Sequence, residues 1–333
     1  MMMEIDIVSG FLGAGKTTFL NKIIPHLKGK IVLIENEFGK AGVDGDLLSG
    51  GLPVKELSSG CICCGLTTSF QSALSEIART YAPDRVLVEP SGVGQLSDVV
   101  AACEGARADV GRAVPGADLS VGRRVAIVDA SSYLDYSQHF GSFYMDQVRG
   151  AGLILFSHMD DVDVEGGVEA VIRAVQSEAP HALLYEKDWS GSDGWELAEL
   201  FESIRPGAHE DRDAHERHEH HHDHDHEHGH EHEDLHGLMS SCSVVDPPAV
   251  GHEKLGEMLE ALKAGRCGQV FRGKGILRLT SGETVRFDFT PKHQDWEEAA
   301  PDLAPRAVFI GRELDEGRIR GLFASGGAEA RGA

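Results

Sequence analysis

The 333 residues carry 31 basic against 54 acidic side chains, a net charge of -23, and 41% of them are hydrophobic. That balance excludes broad binding to nucleic acid or anionic membranes, which needs basic patches to neutralise phosphates. No apolar run approaches the roughly 20 residues needed to span a bilayer, and the length suits two domains of roughly 100–200 residues each.

The start of the chain is mildly apolar but includes Glu4 and Asp6 and lacks a basic leader. It reads as a buried strand and loop rather than a signal peptide. Six cysteines in a long chain without such a leader favour metal binding over a disulfide framework. The expectation is a soluble cytoplasmic protein. Ile5, Ile7 and Val8 predict a short strand running into Gly10. Lys16 to about Ile24 predicts a helix with Phe19, Leu20, Ile23 and Ile24 on one side, kinked or ended by Pro25. Short apolar runs recur at Lys30 to Ile34, Arg85 to Val88, Val125 to Val128 and Leu153 to Phe156. Helical patterns lie between them, the clearest being Val168, Val171, Ile172 and Val175. Strands alternating with helices predict an α/β fold with a mostly parallel sheet covered on both faces. Gly105 to Gly122, rich in Gly, Ala and charge, reads as an irregular surface insertion.

After Arg205-Pro206-Gly207 the pattern stops. His209 to His236 holds twelve histidines, eleven acidic residues and two arginines, and contributes -9 of the net charge. Such a segment cannot bury enough surface to offset its ordering entropy, so disorder is expected. Beyond it, Leu255, Met258, Leu259 and Leu262 predict an amphipathic helix. Val285, Phe287 and Phe289 alternate with Arg286 and Asp288 as a half-buried strand, Ala307 to Ile310 predicts another strand, and Ile319, Leu322 and Phe323 a last helix. The expected organisation is an α/β domain over 1–205, a His-rich linker over 206–241, a small α+β domain over 242–325 and a flexible tail over 326–333.

Gly10-Phe11-Leu12-Gly13-Ala14-Gly15-Lys16-Thr17 fits the G-x-x-x-x-G-K-[ST] phosphate loop in its required place between a strand and a helix. Its glycines let backbone N–H groups converge on phosphate oxygens, and the helix N-terminus adds favourable partial charge. Lys16 should reach the β- and γ-phosphates, and the Thr17 hydroxyl should ligate Mg²⁺. The apolar strand Val86-Leu87-Val88 ends in Glu89, followed by Pro90-Ser91-Gly92. A carboxylate at the end of a parallel strand lies beside the nucleotide crevice, where Glu89 could hold the water on Mg²⁺ and the Gly92 amide could sense the γ-phosphate.

Cys61-Ile62-Cys63-Cys64 lies between Gly60 and Gly65 in the same domain. Three thiolates supply most of a tetrahedral Zn²⁺ shell, with Zn–S bonds of about 2.3 Å. Glu37 is the first candidate for the fourth ligand, since it falls in the expected nucleotide-responsive segment. Packing as small buried hydrophobes and a redox switch are the competing readings of the three thiols. Cys103, Cys242 and Cys267 are isolated and read as core or surface residues. His220, His221, His222, His224, His226, His228, His230 and His232 would form a flexible chelator for Zn, Ni, Cu or Co, with a purely solvating linker as the alternative.

These residues resemble the CobW-like family of P-loop GTPases, relatives of the nickel-insertion GTPases of hydrogenase and urease. The resemblance runs from Ile5 to about Phe323. It rests on Gly10 to Thr18, Glu35-Asn36-Glu37-Phe38-Gly39 with Gly42 and Asp44 beyond, Ser58 to Cys64, Glu89 to Gly92 and Val128-Asp129-Ala130. Val270 to Gly275 and Val308 to Arg312 look like that family's small second domain. The resemblance implies GTP hydrolysis coupled to metal delivery or cofactor assembly, with zinc and cobalt the usual ions. It extends the nucleotide site to Thr18, and implies a client metalloprotein and a GTP-dependent homodimer. One departure stands out. Where such GTPases carry Asn-Lys-x-Asp, this chain has Ser157-His158-Met159-Asp160, so guanine preference would rest on Asp160. The leading expectation is a GTP-dependent metallochaperone. A nucleotide-regulated metal store and a P-loop small-molecule kinase are the alternatives.

Overall fold

The computed structural model describes residues 2–37, 52–58, 67–206 and 239–323. They form two compact units, one before and one after the His-rich segment. The first is a seven-stranded sheet in the order β3-β2-β4-β1-β5-β6-β7. Its strands are β1 (Met2–Gly10), β2 (Ile31–Glu37), β3 (Val54–Ser58), β4 (Arg85–Glu89), β5 (Asp118–Asp129), β6 (Leu153–Ser157) and β7 (Leu183–Tyr185). The strands from β2 across to β7 all pair in parallel. Ile5, Ile7 and Val8 are fully buried, because β1 sits at the centre of a sheet covered on both faces. The sheet switches direction at β1: β4 and β2 lie to one side, β5, β6 and β7 to the other. The carboxyl ends of strands at such a switch point form a ligand crevice.

Among the described residues, six helices cover this sheet: α1 (Lys16–Ile23), α2 (Thr67–Thr80), α3 (Leu96–Ala113), α4 (Tyr133–Arg149), α5 (Gly167–Glu178) and α6 (Gly194–Ser203). In α1 the stripe Phe19, Leu20 and Ile23 is buried, and Pro25 falls in a single 3₁₀ turn that ends the helix. In α5, Val171 and Val175 point into the core. The expected irregular insertion at Gly105 to Gly122 is corrected. That stretch is the second half of α3 and the start of β5. Ala102, Cys103, Ala106 and Val110 bury one face of α3 at helical spacing; small residues there allow close packing but give little hydrophobic signal. The charge in early β5 is likewise satisfied inside the fold. Buried Arg123 pairs with Glu4, Asp6 and Glu202.

The second unit is an antiparallel sheet in the order β11-β10-β9-β12-β8. Its strands are β8 (Ser240–Val245), β9 (Gln269–Arg278), β10 (Thr284–Phe289), β11 (Gln294–Glu298) and β12 (Arg306–Arg312). Two helices, α7 (His252–Lys263) and α8 (Glu316–Leu322), accompany it. Phe287 and Phe289, the alternating residues of β10, form a core with Leu255, Leu259, Phe309, Ile319 and Phe323. Cys242 and Cys267 are buried in this core and Cys103 in that of the first unit, as small hydrophobes. No described helix is long and apolar enough to cross a membrane.

Candidate nucleotide site

β1 delivers the chain into the loop at Gly10, whose φ of +147° suits glycine. A side chain there would strike the Ile127 carbonyl of β5. Gly13 and Gly15 also have positive φ, at +82° and +103°. Gly15 is the N-cap of α1 and supplies no side-chain cap, and the first turn of the helix carries no acid. The leading N–H groups of α1 therefore meet no competing carboxylate of their own turn, a setting that favours an anion. Ala14 is fully buried and its N–H donates to the Phe11 carbonyl at 3.2 Å, which tightens the loop. Thr18 is exposed on α1.

Lys16 is folded over its own loop. Its Nζ donates to the carbonyls of Gly10 at 2.9 Å and Phe11 at 3.2 Å. Thr17 Oγ1 donates to Glu89 Oε1 at 2.9 Å, which ties the start of α1 to the end of β4. Glu89 is buried, as is Glu35, its register partner on β2. A hydroxyl beside buried carboxylates is a set of hard oxygen donors, and such donors fit Mg²⁺. At the end of β5, Asp129 is also buried. It accepts from the Ser131 N–H at 2.9 Å and the Ser131 hydroxyl at 2.7 Å, so it shapes the following turn.

Gly92 presses on the phosphate loop. A Cβ added to it would lie 2.6 Å from the Leu12 nitrogen. The turn that holds Gly92 is closed by the Gly94 N–H donating to the Ser91 carbonyl at 2.9 Å. The loop itself is gripped from α4, with the Phe11 ring 4.8 Å from Tyr136, 5.2 Å from Phe140 and 5.4 Å from Tyr144. A kink at Gly141 (φ 48°, ψ -131°), a conformation open mainly to glycine, separates Phe140 from Tyr144 along that helix. Trp189, 3% exposed, backs the loop from the opposite side against Gly15 and Phe19.

The structure thus brings together Gly10, Gly13, Ala14, Gly15, Lys16, Thr17, Glu89 and Gly92. Asp160 lies in an exposed turn after β6, two strands from β1. His158 enters that turn with φ +52°, a conformation that Asn or Gly adopts more readily. Glu37 ends β2, and its side chain lies outside the described residues. So do Cys61, Cys63, Cys64 and the histidines from His220 to His232.

Reading the sequence missed the aromatic grip on Phe11, the Trp189 backing and a buried glutamine, Gln147. A signal for Gln147 was present: it interrupts the apolar stripe Phe140, Tyr144, Gln147, Val148, where only a partnered polar residue is tolerated.

The family described as CobW/HypB/UreG, nucleotide-binding domain, matches residues 4–185. The Cobalamin synthesis protein cobW C-terminal domain matches residues 239–326. The chain is 30% identical over 363 residues to the zinc chaperone CobW of Pseudomonas aeruginosa, covering 95% of this chain and 89% of that protein. Identity to the zinc chaperone YjiA of Escherichia coli is 25% over 340 residues, covering 97% and 98%. With the zinc chaperone YeiR of Escherichia coli it is 38% over 107 residues, which span 30% of this chain and only 33% of that protein.

Proposed function

Because the chain belongs to the CobW/HypB/UreG family of nucleotide-binding proteins, we propose that it is a GTPase that carries zinc and hands it to a client metalloprotein. The observation that carries this reading is the joined loop and strand end: an uncapped α1 behind three positive-φ glycines, with Thr17 bonded to Glu89. Lys16 would leave the Gly10 and Phe11 carbonyls for the β- and γ-phosphates. Thr17 and Glu89 would hold Mg²⁺, which neutralises phosphate charge during hydrolysis. Gly92 would register the third phosphate, and Thr18 would line the loop. Asp160 would accept from the guanine ring N–H and amino group.

Zinc is the cargo, and the named relatives that are zinc chaperones support that choice over cobalt or nickel. Cys61, Cys63 and Cys64 would bind it with Glu37, and the His-rich segment would capture ions nearby. Glu37 ends β2, beside the strand that carries Glu89, so a ligand there would respond to nucleotide state.

Lys16→Ala is the direct test. Lys16 stands at the loop–helix junction, where its Nζ donates to loop carbonyls, so the fold should survive its loss. GTP turnover should vanish while thermal unfolding stays near that of the parent. A folded variant that hydrolyses GTP at the parent rate would remove the assignment.

A further inference from the structure

Gln147 is 2% exposed on α4 and reaches across to the turn after Glu89. Its Nε2 donates to the carbonyls of Gly92 at 3.2 Å and Gly94 at 2.8 Å. Two carbonyl acceptors fix which end of the amide carries nitrogen. The neighbouring Asp146 accepts from the Ser97 N–H at 3.0 Å, which caps the first turn of α3 just beyond that turn. The same helix holds Phe11 through Tyr136, Phe140 and Tyr144. One helix therefore grips both walls that meet where Gly92 abuts Leu12.

We propose that Gln147 is a positioning residue that sets the Ser91–Gly94 turn against the phosphate loop and thereby makes the protein respond to the third phosphate of the nucleotide. The inference rests on the GTPase reading. Its physical basis is that a buried amide with two acceptors fixes peptide orientation more firmly than apolar contact does. A sensor peptide must be held within a fraction of an ångström to discriminate a triphosphate. Gln147 bonds the turn through Gly92 and Gly94 and acts through it.

Two variants of the full chain test this. Gln147→Met matches the volume without the donors, and Gln147→Glu keeps the shape but offers the two carbonyls at most the single O–H donor of its protonated form. In the nucleotide-free protein, amide exchange of the peptide spanning Pro90 to Gln95 should speed up about tenfold in both, with β1 and β5 unchanged. GDP affinity should stay at the parent value. Preference for a non-hydrolysable GTP analogue over GDP should collapse, and kcat should fall about tenfold or more, with the KM for GTP rising as the triphosphate loses affinity. Unchanged exchange at the turn overturns the proposal. So does faster exchange with parent kcat and parent GTP preference, and so does an equal loss of GDP and GTP binding. A parent that binds no nucleotide would remove the GTPase reading and with it the third-phosphate role, while the exchange comparison would still decide whether Gln147 holds the turn.

Discussion

Lys16 and Thr17 occupy their resting partners in ways that set what nucleotide must displace. The Lys16 ammonium donates to two loop carbonyls and Thr17 to one carboxylate, so in the proposed function phosphate and Mg²⁺ would replace existing bonds instead of filling bare donors. Asp160 is the residue whose assignment is most exposed to test. A matched donor–acceptor set discriminates bases strongly because the wrong base leaves polar groups unpaired. With Ser157 and His158 in place of Asn and Lys, part of that set is gone. GTP should outcompete ATP, by a smaller margin than in relatives with the full motif. Equal affinities in competition binding would rule out Asp160 as a guanine reader.

The cysteines are proposed to divide by environment. Burial raises the pKa of the Cys103, Cys242 and Cys267 thiols, so the reactive thiolate is scarce at neutral pH. Alkylation of the folded protein should spare these three and slow at Cys61, Cys63 and Cys64 when zinc is added. Mass mapping that finds Cys103 labelled as fast as Cys61 would contradict the division.

At the scale of elements, β1, β4, β5 and α6 meet in a half-buried ionic cluster. Three acids, Glu4, Asp6 and Glu202, share two arginines, Arg85 and Arg123, which also lie over the Phe201 ring. Burial pushes the Asp6 carboxyl up to about 6, outweighing its backbone bond from Arg123 and the nearby guanidinium of Arg85. The folded state therefore holds this proton more tightly than the unfolded chain, whose value is near 3.8. Its contribution to stability is complete below that lower value and is lost as pH rises toward about 6. Measured against Asp6→Asn, the parent should lose about 1–3 kcal/mol between pH 4 and pH 6 and change little above. A stability difference that instead grows in the parent's favour across this window would mean that the arginines dominate.

Elements also differ in how far the sequence disclosed them. Gly10 to Thr17 was legible because phosphate binding fixes residue types at fixed spacing, and β4 because its apolar run ends in a charge. The second half of α3 was not, since Ala102 and Ala106 bury a face without a strong hydrophobic period. Gln147, Phe11 and Trp189 act through contacts between distant segments. A local pattern can flag a glutamine on a buried stripe but cannot name Gly92 and Gly94 as its partners. Early β5 misled because its charge is paired within the fold, Asp118 with Arg107 on α3.

For the whole molecule, two units and a histidine-rich segment are proposed to divide one task. Residues 209–236 contain almost nothing to bury, so their removal should cost little stability and should lower metal stoichiometry while leaving one tight site. The thiols would give that site its selectivity, since thiolates favour borderline-soft ions. Nucleotide state would act on it through Glu37. The coupling must be reciprocal: if GTP tightens zinc, zinc tightens GTP by the same factor. The decisive measurement is a zinc titration of the chain lacking 209–236, with GDP and with a non-hydrolysable GTP analogue. Coupling through Glu37 predicts affinities that differ about 5- to 150-fold between the two states, and a difference abolished by Glu37→Ala. Equal zinc affinities in both states, with nucleotide binding intact, would contradict it.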